Sequence, residues 1–450
     1  MFKLARNPGS LTGVLLATVG AVLFLTVFAA DLFGLHTNPY IGILFFLILP
    51  GIFLFGLVLI PIGGWLERRR RRQGRSLTWP RFDLGDPVQR RGFVIVTALT
   101  VANVVIVSLA AYRGVEYMDS VQFCGQVCHT VMRPEFTAYQ DGAHSRVACV
   151  DCHIGSGASW FAKSKISGAR QVLAVTFHTY ERPIPSPVQN LRPARDTCEQ
   201  CHWPEKFHGD KIVRVSEYAE DETNTETITT LQVHVGGGSE RLGRAQGIHW
   251  HMNVANQVEY IATDDGRQVI PWVRVTDRSG NVREFVAEGV KPEDLAKGER
   301  RRMDCMDCHN RPSHAMAATP ERAVNDLIAN GDIPKTLPFV RREAVKALKA
   351  SYASQDAAEE GIARALREFY RVERNDVYMS HRADVEKAVR ATIGVYRRNV
   401  FPEMNVQFGT YSNNIGHMDS PGCFRCHDEN HASRDGKKLG QDCDTCHAIS

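Results

Sequence analysis

Near its C-terminus the chain reads Cys423-Phe-Arg-Cys426-His427 and then, after an intervening stretch of glycine and charged residues, Cys443-Asp-Thr-Cys446-His447. Three earlier stretches have the same C-x-x-C-H form: Cys149/Cys152/His153, Cys198/Cys201/His202 and Cys305/Cys308/His309. A sixth, Cys124-Gly-Gln-Val-Cys128-His129, holds one extra residue between its cysteines. These motifs consume all 12 cysteines and six of the 17 histidines among 450 residues, where chance at those frequencies supplies about 0.01 copies of C-x-x-C-H.

The spacing has a chemical reason. Two thiols three positions apart reach the two vinyl groups of one haem and form thioethers, and the adjacent imidazole then ligates the iron from below. A disulfide framework would also use an even number of cysteines. A zinc ribbon would fit the spacing of Cys423, Cys426, Cys443 and Cys446. Neither explains a histidine directly after the second cysteine in all six motifs. The expectation is six covalently bound haem c groups with His129, His153, His202, His309, His427 and His447 as proximal ligands.

Eleven histidines remain to supply the opposite axial positions. Those placed near motifs are His144, His208, His314, His417 and His431, with His249 and His251 as alternates for one more, of which His251 is preferred. Met132, three residues after His129, is the candidate at the first haem. The supply of distal ligands roughly equals the demand, and a haem with both axial positions filled passes electrons rather than binding substrate. The pattern leans towards electron transfer.

Working outward, every long apolar run lies before residue 113 and every cysteine after it. Segments of about 11–33, 40–65 and 92–112 are each long enough to cross a hydrocarbon layer, which takes about 20 helical residues. The first is too long for a signal peptide, and bulky Phe28 stands where a cut after Ala30 needs a small residue. Pro50, Gly51 and Pro61 are tolerable in a spanning helix packed on a neighbour. Residues 67–91 carry Arg68 to Arg72, Arg75, Arg81, Arg90 and Arg91, the positive-inside signature of a cytoplasmic loop. Residues 1–112 thus form a membrane domain of three transmembrane helices, and residues 113–450 face the periplasm, where haem c is attached. The net charge of +4 gives no reason to expect nucleic acid as a partner.

In the soluble part, alternation between Lys211 and Gly289 predicts a small antiparallel β insertion at about 211–289, with Glu217 to Glu226 as a solvated loop. From about 320 to 401 the apolar spacing turns helical, as in Val324, Leu327 and Ile328, or Ile362, Leu366 and Phe369. The expected class is a membrane-anchored multihaem cytochrome c: three transmembrane α-helices plus a haem-packed, mostly irregular and α soluble domain with that β insertion. No phosphate-cradling glycine loop or nucleophile elbow appears, so flavin, nicotinamide and hydrolase readings lose support.

The segment from Val121 to about Arg170 resembles the NapC/NirT family of membrane-anchored multihaem quinol dehydrogenases, to which NrfH belongs. The likeness rests on Cys124 to His129, Met132, Tyr139, His144, Cys149 to His153, and Lys163 or Lys165. The whole chain is similar to the larger ImcH-like inner-membrane cytochromes, through Cys198-Glu-Gln-Cys-His-Trp-Pro204 and Ser420-Pro-Gly-Cys-Phe-Arg-Cys-His-Asp428. The resemblance implies a haem 1 beside a quinol pocket at the bacterial inner membrane, with Met132 near its iron and Lys163 or Lys165 at the quinol. Gln171 stands where the family carries an acid, and Glu135, Asp141 and Asp151 are the alternative proton acceptors. Met132 also comes one place later than the family's usual spacing.

The function so implied is an electron-transfer protein with quinol dehydrogenase activity. It oxidises quinol or menaquinol from the membrane pool and passes electrons to a periplasmic c-type cytochrome or reductase, or to other partners of extracellular respiration. Two other readings are a relay carrying electrons from an attached enzyme, such as a hydrogenase, into the quinone pool, and a terminal reductase with an open haem.

Overall fold

A computed structural model describes residues 8–32, 49–73, 85–87, 90, 91, 94, 98, 112–127, 129–155, 157–188, 191–203, 206–236, 247–252, 256–277 and 279–450. The start of the second expected span (40–48), the loop residues Arg75 and Arg81, and most of the third expected span (92–112) lie outside the described residues. The chain divides into two compact units, residues 1–120 with 154–169, and residues 121–153 with 170–450.

In the first unit, helix α1 (Pro8–Leu32) packs along helix α2 (Leu49–Arg72). The approach is close because the facing residues are small: a Cβ on Gly13 would lie 2.7 Å from the Gly56 carbonyl oxygen, and one on Gly56 2.5 Å from the Ala17 nitrogen. With apolar tails outside, helices associate by such backbone contact rather than by burying apolar surface from water. Ser10 adds a hydroxyl hydrogen bond to the Ile60 carbonyl, 2.9 Å away, just before Pro61. Among the described residues one helical stretch, Gly51–Arg70, is long and apolar enough to cross a membrane. Helix α2 continues to Arg72, so the first five arginines expected in the loop are helical.

The second unit holds helix α3 (His129–Gln140), and helix α4 (Ala158–Thr176) contributes residues to both units. The β region is two antiparallel sheets rather than one insertion. Strands β1 (Asp210–Tyr218), β2 (Glu226–His234) and β8 (His447–Ile449) form one. The other has the order β6 (Glu299–Arg302), β3 (Gln257–Ala262), β4 (Trp272–Thr276), β5 (Val282–Ala287), β7 (His431–Ser433). Along β3 every second residue, Val258, Tyr260 and Ala262, is buried, the period of a half-buried strand. C-terminal strands β7 and β8 join edges built about 150 and about 215 residues earlier, pairings no local pattern announces; β8 sets His447 opposite Val233. The stretch Glu217 to Glu226 is the tip of the β1–β2 hairpin, exposed at most positions as expected and pinned through one buried residue. Buried Asn224 donates to the Lys335 and Leu337 carbonyls and accepts from the Arg341 amide, at 2.9 to 3.0 Å.

The helical connector is α5 (Pro320–Ala329), α6 (Val340–Lys349), α7 (Gln355–Glu373) and α8 (Arg382–Asn399). Thr319 and Ser354 cap α5 and α7 by accepting from the amides of Arg322 and Ala357. Val324, Ile328, Val340, Ile362, Leu366, Val385 and Val389 meet in one apolar core. The bundle therefore stands on side-chain packing alone, between the fourth motif and the last pair.

Candidate haem-binding site

Most of the motifs sit on a tight turn, where positions three apart share one side. Cys149–His153, Cys305–Cys308 and Cys443–Cys446 are single helical turns, and Gly422–Arg425 is a 3-10 turn. The first motif forms a π turn, Phe123–Val127, and this wider turn absorbs its extra residue. Gly125 is buried there, and a Cβ on it would stand 2.1 Å from the Phe136 ring of α3.

Five histidine pairs stand with ring centroids 5.9 to 6.3 Å apart: His314 with His153, His144 with His202, His249 with His309, His251 with His427, and His417 with His447. Each joins the histidine of one motif to one from elsewhere in the chain. A metal–imidazole bond of about 2.0 Å on each side of an iron, plus the two ring radii, gives a centroid separation of about 6 Å. The pairs therefore fit the two faces of five haems.

The second ring nitrogens support that fit. Nδ1 faces a backbone carbonyl in His144 (Pro312), His249 (Val235), His251 (Ile248), His314 (Glu135) and His427 (Gly440), at 3.0 to 3.2 Å. An Nδ1–H donated to oxygen leaves the Nε2 lone pair for a metal and fixes the ring's orientation. Burial lowers the pKa of His153, His249, His251 and His309, which keeps each imidazole in the neutral form that ligates.

Consecutive motifs are also neighbours. The thiols of Cys124 and Cys149 lie within electrostatic range of one another, as do those of Cys198 and Cys305. Cys152 lies within electrostatic range of Cys201, and Cys423 within range of both Cys308 and Cys446. The motifs thus adjoin in chain order from first to sixth.

Several expected ligands are placed otherwise. His431 is 2% exposed, with Nδ1 2.7 Å from Asp428 and Nε2 2.7 Å from the Ile270 carbonyl, so both nitrogens are already committed to oxygen. His208 is exposed and His202 pairs with His144 instead. His249 and His251, read from sequence as alternates, are both used: one 3-10 turn, Ile248–Met252, presents them to different motifs. Met132 is half-buried one turn along α3 from His129, and Cys128 lies outside the described residues.

Residues inside the motifs also staple them together, which the spacing did not signal. Arg425 donates to the carbonyls of Asp307 (2.6 Å) and Arg267 (2.8 Å), tying the fifth motif to the fourth. The Asp307 carboxylate accepts from the Tyr260 hydroxyl at 2.5 Å and from the Asp304 amide at 2.7 Å. On the expected quinol-site residues, Lys163 Nζ lies 4.4 Å from the centre of the Trp160 ring, Lys165 Nζ lies 3.3 Å from Asp119 Oδ1, and Gln171 is exposed.

Comparison with known proteins matches these features. Residues 87–184 fit the sequence model of the NapC/NirT cytochrome c family, N-terminal region. The chain is 42% identical over 449 residues to the cytochrome c-type protein ImcH of Geobacter sulfurreducens, covering 98% of this chain and 88% of that one. The chain belongs to the NapC/NirT cytochrome c family. The cytochrome c-type protein NrfH of Wolinella succinogenes is 27% identical over 96 residues, covering 20% of this chain and 53% of NrfH. No solved structure matches this NapC/NirT cytochrome. It is a membrane cytochrome c of electron transport that carries covalently bound haem.

Proposed function

We propose that this NapC/NirT cytochrome is a hexahaem quinol dehydrogenase of the bacterial inner membrane. It takes electrons from quinol or menaquinol near the first haem and passes them, motif by motif, to a periplasmic cytochrome or reductase. The observation that carries this reading is the set of five histidine pairs about 6 Å apart on motifs that adjoin in chain order. Bound haem supplies one-electron chemistry by cycling its iron between the ferric and ferrous states.

The chain's own residues do the rest. His314/His153, His144/His202, His249/His309, His251/His427 and His417/His447 are the residues that would hold the irons of the second to sixth motifs. The carbonyl-anchored Nδ1 atoms of His144, His249, His251, His314 and His427 keep those rings from turning. With two histidines each, these five irons would have no site left for an oxyanion, which favours the electron-transfer reading over a terminal reductase. At the first haem, His129 is the proximal ligand and Met132 the candidate beside it.

Orientation rests on the arginines of residues 67–91, which keep that loop cytoplasmic and the motifs periplasmic. Lys163, Lys165 and Gln171 of α4 are the candidate quinol-site residues. Ile166 and Leu173 of this helix, and Phe177 just past its end, are 57 to 74% exposed, apolar surface suited to lipid or to a quinol tail.

Intact mass and low-temperature EPR test the cofactor part. The purified chain should weigh six haems more than the polypeptide, and at least five ferric irons should be low-spin. Fewer haems, or a high-spin signal from more than one iron, would contradict it.

A further inference from the structure

We propose that Asp119 is the proton acceptor for quinol oxidation and that Lys165 is the cation paired with it; the inference rests on the quinol reading above. A quinol that becomes a quinone breaks two O–H bonds, giving up two protons and two electrons. The electrons go one at a time to ferric iron, and iron takes no proton, so a base must receive each one. Gln171, where an acid was expected, is an amide and does not serve as a base near neutral pH.

Asp119 meets the requirement from another part of the chain. Its carboxylate lies 3.3 Å from the ammonium of Lys165, and the two side chains are 12% and 31% exposed. The pair is sheltered yet open to a ligand. Around it in sequence stand exposed apolar side chains: Tyr117 at 56%, Met118 at 41% and Ile166 at 74%. A few polar groups set in apolar surface suit a quinol, whose ring and tail are apolar and whose two hydroxyls are not. In sequence Asp119 is seven residues past Tyr112, where the last apolar run ends, and five before Cys124 of the first haem motif.

The same geometry separates the two lysines. The ammonium of Lys163 rests on the face of Trp160, a cation–π contact that suits an interfacial anchor. Lys165 faces the carboxylate. In the proposed step one quinol hydroxyl donates to Asp119 and Lys165 holds the carboxylate in place. As the first electron leaves, that O–H bond breaks and the proton passes to Asp119 Oδ, then to water. The second electron and second proton follow the same routes, leaving quinone, two ferrous irons and two released protons.

The test uses full-length, haem-loaded protein in lipid nanodiscs with reduced 2,3-dimethyl-1,4-naphthoquinone as the probe. Asp119→Asn should slow haem reduction at saturating quinol about 100-fold, the scale of a lost general base. Asp119→Glu, which keeps a base one methylene further out, should recover most of that loss. Affinity for the oxidised naphthoquinone, measured separately by calorimetry, should change less than about threefold in Asp119→Asn, because a quinone carbonyl has no proton to donate and so makes no hydrogen bond to the carboxylate for the change to remove. Haem mass and dithionite-reduced spectra should match the wild type.

Wild-type rates in both Asp119 variants would overturn the proposal while leaving quinol oxidation standing. A rate loss matched by an equal loss of quinone affinity would also overturn it, by making Asp119 a binding group only. Should Asp119→Asn fail to load haem, Asp119→Ser, which also lacks a base, decides: a rate loss of the same scale supports the proposal and a wild-type rate overturns it. A wild type that the naphthoquinol does not reduce would remove the quinol reading itself, and this inference with it.

Discussion

The rings of His249 and His309 lie parallel within 5°, centroids 6.2 Å apart, while two residues on His251 meets His427 nearly edge-on at 84°. One short turn thus supplies a candidate axial ligand to each of two consecutive haems. It couples their positions more rigidly than two independent loops would.

Replacing His249 or His251 with alanine should therefore open one iron in each case and convert about one sixth of the ferric signal from low to high spin. His431→Ala should leave the spin state unchanged. Its cost is in stability, about 1–3 kcal/mol, because Asp428 and the buried Ile270 carbonyl lose their partner. EPR and denaturant titration of the three variants separate these outcomes.

Gly125 sits in the π turn of the first motif with no room for a methyl group against Phe136. Gly125→Ala should reduce haem attachment at Cys124 and Cys128, seen as a population one haem lighter by intact mass. Adding Phe136→Ala should restore loading by clearing the ring. Full loading of the single variant would show that the turn opens at little cost.

The helical connector gives a pH prediction. Arg367 donates two hydrogen bonds, both 2.7 Å, to the Glu386 carboxylate, and these hold the carboxyl below its usual range. A carboxyl whose folded pKa is depressed adds stability above its unfolded value of about 4.3, and this is lost as pH falls through the folded value. The guanidinium is 47% exposed, so the contribution near pH 7 is under about 1 kcal/mol. Hydrogen exchange of α7 and α8 should accelerate as the pH drops below about 4, and Glu386→Gln should flatten that dependence.

Much of this arrangement was legible in the sequence because haem attachment is local. Two thiols and an imidazole within five residues specify their cofactor without help from the fold. The connector helices were legible too, since the spacing of Ile362 and Leu366 or of Val385 and Val389 is a property of one segment. The candidate distal ligands are long-range: His144 meets a motif some sixty residues on, and His314 one about 160 residues back. Proximity in sequence pointed to His208 and His431, while packing brings His144 to His202 and gives His431 a structural place. The β region was legible as antiparallel strands, β1 to β5 over 210–287, while the edges added by β6, β7 and β8 were not, because they come from outside that stretch. Asp119 escaped notice since only the fold brings it to Lys165.

The most direct test of quinol oxidation by this NapC/NirT cytochrome is an anaerobic titration of the oxidised, full-length protein in lipid with menaquinol, followed at the haem α band. With six haem motifs and two electrons per quinol, reduction should grow with each addition towards a limit of three quinols per chain, approached as closely as the haem potentials permit. No reduction by menaquinol, in a sample that dithionite then reduces fully, would contradict the account.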